Sequence, residues 1–198
     1  MKLLILFLGY LFGSFPSGYL AGRITKGIDI RSLGSGSTGA TNVLRHIGKR
    51  AAISVFLIDV FKGVISILLA KFFRLDDSWQ VAVGLSALIG HIWPVWLNWK
   101  GGKAVATGLG IFLGLSWQVG LATLGIFMLM IALFRIVSLA SVSASLSLPL
   151  IMFISFEKSN ISLPFLIISL LAMTLVVWRH RDNIARLMKG KEPKIGQN

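Results

Sequence analysis

The run Gly34-Ser35-Gly36-Ser37-Thr38-Gly39-Ala40-Thr41-Asn42-Val43-Leu44-Arg45 holds the residue types needed to bind a phosphate. Gly34, Gly36 and Gly39 permit tight turns and close approach of backbone to a ligand. Ser35, Ser37, Thr38, Thr41 and Asn42 add short side-chain donors. The run then passes into an expected helix start, where free N–H groups favour an anion. From that helix Arg45 can reach back with a bidentate fork. An ordinary flexible Gly/Ser loop is the plainer reading, but such linkers rarely close with Ala-Thr-Asn-Val-Leu-Arg. The Gly-Lys-Ser/Thr ending of a nucleotide P-loop is missing.

A second cluster is Lys100-Gly101-Gly102-Lys103-Ala104-Val105-Ala106-Thr107. Its two glycines let backbone N–H groups face a ligand, and Lys103 would add a point charge at a helix start. Alternatively, the lysines only flank a membrane span. The third cluster is split between Ser138-Leu139-Ala140-Ser141-Val142-Ser143 and Arg179-His180-Arg181-Asp182-Asn183-Ile184-Ala185-Arg186. Ser138, Ser141 and Ser145 fall at helical spacing, where small polar residues often serve packing. His180 and Asn183 can face one site at i, i+3. Asp59 and Lys62, three apart in an apolar stretch, can neutralise each other. Intramembrane charges are also functional candidates. His91 precedes Trp93-Pro94 and can satisfy groups freed by the proline.

The elements that must position these residues are membrane helices. Of 198 residues, 55% are hydrophobic and 14% charged, whereas soluble domains carry about 25% charged residues. Apolar stretches at 1–20, 51–73, 78–97, 105–115, 117–134, 136–156 and 161–178 fill most of the chain. The fourth is short for a bilayer that needs about 20 residues, so it is tilted, enclosed by protein or partly re-entrant. The first resembles a signal peptide, but no small-residue cleavage pattern leads into a water-soluble body, and it reads as a retained helix. Tryptophans at 79, 96, 99, 117 and 178 suit an interfacial belt. Ser14, Pro16 and Gly18 suggest a kink or a close helix crossing in the first span.

Charge sets the sidedness. Arg23, Lys26, Arg31, Arg45, Lys49 and Arg50 crowd the first loop, Lys100 and Lys103 the third, and Arg135 the fifth. The second loop, around Arg74, Asp76 and Asp77, has no positive excess, and Lys158 beside Glu157 leaves the sixth neutral. The tail adds Arg179, Arg181, Arg186, Lys189, Lys191 and Lys194. Basic loops stay in the cytoplasm, so the N-terminus is expected outside and the C-terminus inside. That requires an odd number of spans and favours seven over six. The fold class is an all-α polytopic transmembrane bundle, one domain over 1–198, with no internal repeat. All three clusters then fall on the cytoplasmic side. The net charge of +13 is explained by these loops and by an anionic substrate, without nucleic acid. Cysteine is absent, which excludes disulfides and thiolate metal sites.

On these motifs the sequence resembles the bacterial acyl-phosphate-dependent glycerol-3-phosphate acyltransferase family. The matching stretches are Ser14-Phe15-Pro16-Ser17-Gly18, residues 34–45, Gly90-His91 with Pro94, residues 100–107, Ser138-Leu139-Ala140-Ser141, and Arg179-His180-Arg181-Asp182-Asn183-Ile184 with Glu192-Pro193-Lys194-Ile195-Gly196. Ser37-Thr38 stands where the family usually has Asn-Pro, and Ala104 where it usually has glycine. Both changes bear on turn geometry. No His-x4-Asp box of the other acyltransferases is present.

The resemblance implies transfer of a fatty acyl group from acyl phosphate to the 1-hydroxyl of glycerol 3-phosphate, early in phospholipid synthesis at the bacterial inner membrane. Ser35, Arg45, Lys103 and the loop amides of residues 34–39 would hold phosphate. Ser141, Ser143, His180 and Asn183 would orient the hydroxyl or polarise the acyl carbonyl. The proton goes to His180 or to a substrate phosphate. No cofactor or metal is expected, the lipid bilayer is the partner, and the chain is expected to act as a monomer. A transporter of a phosphorylated solute is the competing class. Its site would sit near the midplane, usually between repeats.

Overall fold

The computed structural model describes residues 1–159 and 162–196. All regular structure among them is helical. The expected turn between the last two apolar stretches runs into positions 160 and 161, which lie outside the described residues. The helices gather into two compact units, Met1–Leu115 and Ser116–Asn198.

In the first unit α1 (Lys2–Ser14) and α2 (Ser17–Lys26) are one apolar stretch broken at Phe15-Pro16. Proline lacks an N–H and pushes the preceding residue to extended backbone, and Phe15 sits at φ −55°, ψ 121°. The expected kink is therefore a break. The Phe15 carbonyl that it frees accepts from Lys62 Nζ at 3.3 Å. After the 34–39 loop come α3 (Ala40–His46), α4 (Lys49–Phe72), α5 (Asp77–Ile92) and α6 (Val105–Leu115). Helices in lipid gain little from burying apolar area, so close approach through small residues holds them together. Gly9 and Gly13 of α1 lie against α5, where a Cβ on Gly13 would overlap Ala87 backbone. A Cβ on Gly18 would overlap the Thr38 carbonyl, which seats α2 on the 34–39 loop.

The short stretch at 105–115 runs parallel to α4. Gly63 faces Thr107 and Gly110, Ile67 faces Gly114, and Lys71 Nζ donates to Gly114 O at 2.6 Å. Its 11 residues rise about 16 Å, about half of a 30 Å hydrocarbon core. It starts opposite the middle of α4 and ends level with the last turn of that helix.

The second unit comprises α7 (Trp117–Phe134), α8 (Val137–Ser159), α9 (Leu163–Arg179) and α10 (Arg181–Met188). Helix α7 ends on Arg135 in left-handed backbone, φ 58°. Helices α9 and α10 meet at a 61° bend at His180. Among the described residues five helical stretches, α1 with α2 counted as one, are long and apolar enough to cross a membrane, or six with this bent pair. The expected seventh span is α6. Leu57, Phe61 and Leu68 of α4 and Leu121, Leu129 and Leu133 of α7 are exposed, as faces turned to lipid would be. Trp96, Trp99, Trp117 and Trp178 are exposed near helix ends.

Candidate functional site

Asn42 organises the Gly-rich loop. It is 2% exposed, and its Nδ2 donates to the carbonyls of Ile30 and Leu33 at 3.0 Å and of Ser37 at 2.9 Å. Its Oδ1 accepts from Ser35 N at 3.3 Å. The side chain singled out as a phosphate donor is thus engaged by the loop itself. Gly34 (φ 55°) and Gly36 (φ 66°) take left-handed backbone around Ser35, as glycine does most readily. A Cβ on Gly34 would also strike Asn42 and His46. Ser37 Oγ accepts from Gly39 N at 3.3 Å, and Ser37 and Thr38 are buried. Ser35 and Arg45 are exposed, and Thr41 is half-buried in the first turn of α3. Helix α3 gives the amides of Ala40 and Thr41 no acceptor of its own.

The preceding segment is tied down by Arg31. It pairs with Asp29 at 2.7 Å, donates to Leu97 O at 2.8 Å and lies over the Tyr19 ring. The Arg31 hydrogen bonds hold the Asp29 carboxyl below its ordinary value.

Lys103 lies between Gly102 and Ala104 in a non-helical segment ahead of α6. Ala104 is buried with φ 62°, which explains why a glycine suits this position. The segment folds back on the end of α5, with Gly101 N donating to Ile92 O and Gly102 N to His91 O, both at 3.1 Å.

Asp59 and Lys62 pair as expected, at 2.9 Å. Sequence reasoning missed what surrounds them. Ser17 Oγ donates to Asp59 Oδ1 at 2.7 Å, His91 Nδ1 is 3.8 Å from that oxygen, and Thr107 Oγ1 is 3.1 Å from His91 Nδ1. These residues come from α2, α4, α5 and α6, and spacing along the chain carries no trace of such a meeting.

In the second unit the organiser is Glu192, also missed as a site residue. It is 6% exposed. Its Oε1 accepts from Ser138 Oγ at 2.8 Å and Asn183 Nδ2 at 2.6 Å, and its Oε2 from Arg186 Nε at 2.7 Å. Burial alone would raise this carboxyl, but the three donors outweigh burial and hold it below its ordinary value. The available signal was the Glu192-Pro193 pair just past a basic helix.

His180 is buried, with Nδ1 2.8 Å from Val176 O. A carbonyl only accepts, which assigns the proton to Nδ1 and leaves the ring's basic lone pair on Nε2 when neutral. Ser138, Ser141 and Ser145 share the buried face of α8, and Ser141 Oγ donates to Val137 O at 2.9 Å. Ser143 is half-buried, two positions beyond Ser141. Residues at i, i+2 do not face each other on a helix, so Ser141 and Ser143 address opposite sides. Among the described residues no group of three or more His, Cys, Asp or Glu could hold a metal ion.

The family model described as glycerol-3-phosphate acyltransferase matches residues 3–190. The glycerol-3-phosphate acyltransferase of Prochlorococcus marinus (strain NATL2A) is 86% identical over 197 residues, covering 100% of both chains. That of Parasynechococcus marenigrum is 63% identical over 195 residues, covering 98% of this chain and 90% of its own. The crystal structure of PlsY (YgiH), an integral membrane glycerol 3-phosphate acyltransferase, in its glycerol 3-phosphate form, is 37% identical. It superposes with a TM-score of 0.92 over 98% of this chain and 96% of that one. Its lysphosphatidic acid form is 36% identical with a TM-score of 0.89, covering 98% and 95%.

Proposed function

This chain belongs to the glycerol-3-phosphate acyltransferase family, and we propose that it takes its acyl group from acyl phosphate. The glycerol 3-phosphate 1-oxygen attacks the acyl carbon, the bond from that carbon to the phosphate oxygen breaks, and phosphate leaves with the electron pair. The hydroxyl proton ends on the departing phosphate, directly or by way of His180 Nε2. Lysophosphatidic acid and inorganic phosphate are the products.

The observation that carries the reading is the 34–45 loop, locked by Asn42 with Ser35 and Arg45 exposed on it. A fixed loop offers amides, a hydroxyl and a guanidinium to a phosphate without reorganising, which is where electrostatic stabilisation is strongest. Both substrates are anions, so cations are needed to hold them at attack distance; Arg45 and Lys103 supply them from the first unit. In the second unit Asn183 is set by Glu192 and His180 by Val176 O, and these with Ser141 or Ser143 serve the hydroxyl and acyl carbonyl. A mixed anhydride has a good leaving group, which fits a chain without cysteine or a His-x4-Asp box.

The reading further places the chain in the bacterial inner membrane as a monomer, N-terminus outside, with the loops at 34–45 and 100–107 and the basic tail facing the cytoplasm. The parallel course of α4 and α6 supports seven crossings, the non-helical residues 98–104 completing the path of α6 inside protein.

The test uses purified protein with glycerol 3-phosphate and either palmitoyl phosphate or palmitoyl-CoA, following phosphate and lysophosphatidic acid. Acyl transfer from palmitoyl phosphate alone is expected. Transfer only from palmitoyl-CoA would refute the donor.

A further inference from the structure

We infer that His91 is a positioning residue for Lys103, acting through the loop that carries it; this rests on the phosphate-binding role given to Lys103 above. The imidazole bears on that loop from both sides of Lys103. Before it, the ring lies against Gly102, so close that a Cβ there would overlap Nε2, beside a separate backbone bond from Gly102 N to the His91 main-chain carbonyl at 3.1 Å. After it, Thr107 Oγ1 meets His91 Nδ1 at 3.1 Å in the first turn of α6.

The loop needs such a hold. Asn98 (φ 50°), Trp99 (φ 63°) and Ala104 (φ 62°) all take left-handed backbone within seven positions, and none is glycine. Conformations of this kind persist only where the surroundings over-determine them, and they gather at ligand-binding sites. Asn98 and Trp99 are exposed, Trp99 N bonding to Pro94 O, whereas Ala104 is buried and the segment before it meets buried side chains. Asp59 is 1% exposed, His91 6% and Thr107 0%. Asp59 Oδ1 is already fixed by Ser17 at 2.7 Å and Lys62 at 2.9 Å. It lies 3.8 Å from His91 Nδ1. The ring is therefore held by α4 and α6 while it holds the segment before Lys103. A buried polar cluster that only stabilised the bundle would have no bearing on Lys103.

The test compares Lys103→Ala, His91→Ala and the double variant through kcat and the KM values for glycerol 3-phosphate and palmitoyl phosphate. The KM raised by Lys103→Ala is the reporter. His91→Ala should raise the same KM about tenfold, yet add less than about twofold in the Lys103→Ala background, since residues acting as one unit are non-additive. His91→Asn, whose amide nitrogen can occupy the Nδ1 position, should restore most of the loss. If His91→Ala does not fold, Thr107→Val carries the same comparison with a smaller rise. Additive effects, or a loss confined to kcat, would overturn the inference and leave the role of Lys103 intact. An unchanged KM in Lys103→Ala would overturn that role and the inference together.

Discussion

Asn183 Nδ2 and Glu192 Oε1 lie 2.6 Å apart, nine residues along the chain, and join α10 to the segment beyond it. Ser138 Oγ of α8 reaches the same oxygen at 2.8 Å, so one carboxylate ties the start of α8 to the end of the chain. That oxygen is an acceptor that orients Asn183.

Glu192→Ala should therefore cost about 2–4 kcal/mol, because it strands the buried donors of Ser138 and Asn183, while the Arg186 charge, 40% exposed, falls back on water. Glu192→Gln keeps an acceptor for Asn183 and Ser138 and loses only the partly exposed ion pair, at about 0.2–1 kcal/mol. The folded carboxyl titrates below its ordinary value. Its contribution is thus full above about pH 4.3, the unfolded value, and is lost as pH falls toward the lower folded one. Thermal unfolding in detergent should show the parent losing its advantage over Glu192→Gln on acidification below that value. A pH-independent difference would refute the assignment.

Asn42→Asp replaces a donor facing three carbonyls with an acceptor. The loop should open, raising the KM for a phosphorylated substrate and exposing residues 30–39 to protease. Asn42→Ala should do the same more mildly, at about 1–3 kcal/mol for the unpaired carbonyls. Unchanged KM and protease resistance in both variants would remove Asn42 as the organiser.

The chain as a helical membrane protein was legible because apolar length and loop charge are local properties. The tight turns of the loop at 34–45 were legible because its glycines and hydroxyls are contiguous. The roles within it were not. Asn42 looks like a ligand donor in sequence, and only its approach to Ile30 and Leu33 shows it to be a staple. His91, Asp59 and Thr107 lie 16 to 48 positions apart and meet where glycines bring α4 and α6 together beside α5. Glu192 was visible as a motif letter but not as a hub, since its partners lie on α8 and α10. Ser141 and Ser143 looked equivalent until the helix placed them on opposite sides.

Because the chain has no cysteine, single cysteines report sidedness cleanly. Ser78→Cys, after α4, should react with an impermeant thiol reagent in intact cells, whereas Lys189→Cys in the tail should react only after permeabilisation. If α6 turns back instead of crossing, the tail lies on the outer side and both label from outside. That outcome would leave the basic tail against the charge rule.

Ala104 sits at φ 62° and is buried. Left-handed backbone costs a non-glycine residue about 1–2 kcal/mol, and glycine carries about 0.5–1 kcal/mol of extra unfolded-state entropy. Ala104→Gly should therefore be neutral or stabilising by up to about 1 kcal/mol. Ala104→Val brings a β-branched side chain into a strained, filled position and should cost about 2–4 kcal/mol. It should also raise whichever KM Lys103→Ala raises. A valine variant as stable and active as the parent would show that this backbone is not enforced.

The route of the proton separates two versions of the reaction. His180 Nδ1 is engaged by Val176 O at 2.8 Å, so replacing the ring by alanine removes both a structural bond and any base. His180→Asn keeps a donor at the Nδ1 position and has no base, which isolates the proton transfer. With acyl phosphate as the proposed donor, the departing phosphate is itself basic and would take the hydroxyl proton, so turnover in His180→Asn at saturating substrates should remain within about tenfold of the parent. General-base catalysis by a side chain typically contributes about 10²–10⁴-fold. A fall of that size in kcat, with both KM values unchanged and the fold intact, would make the His180 ring the base and exclude the substrate-assisted route.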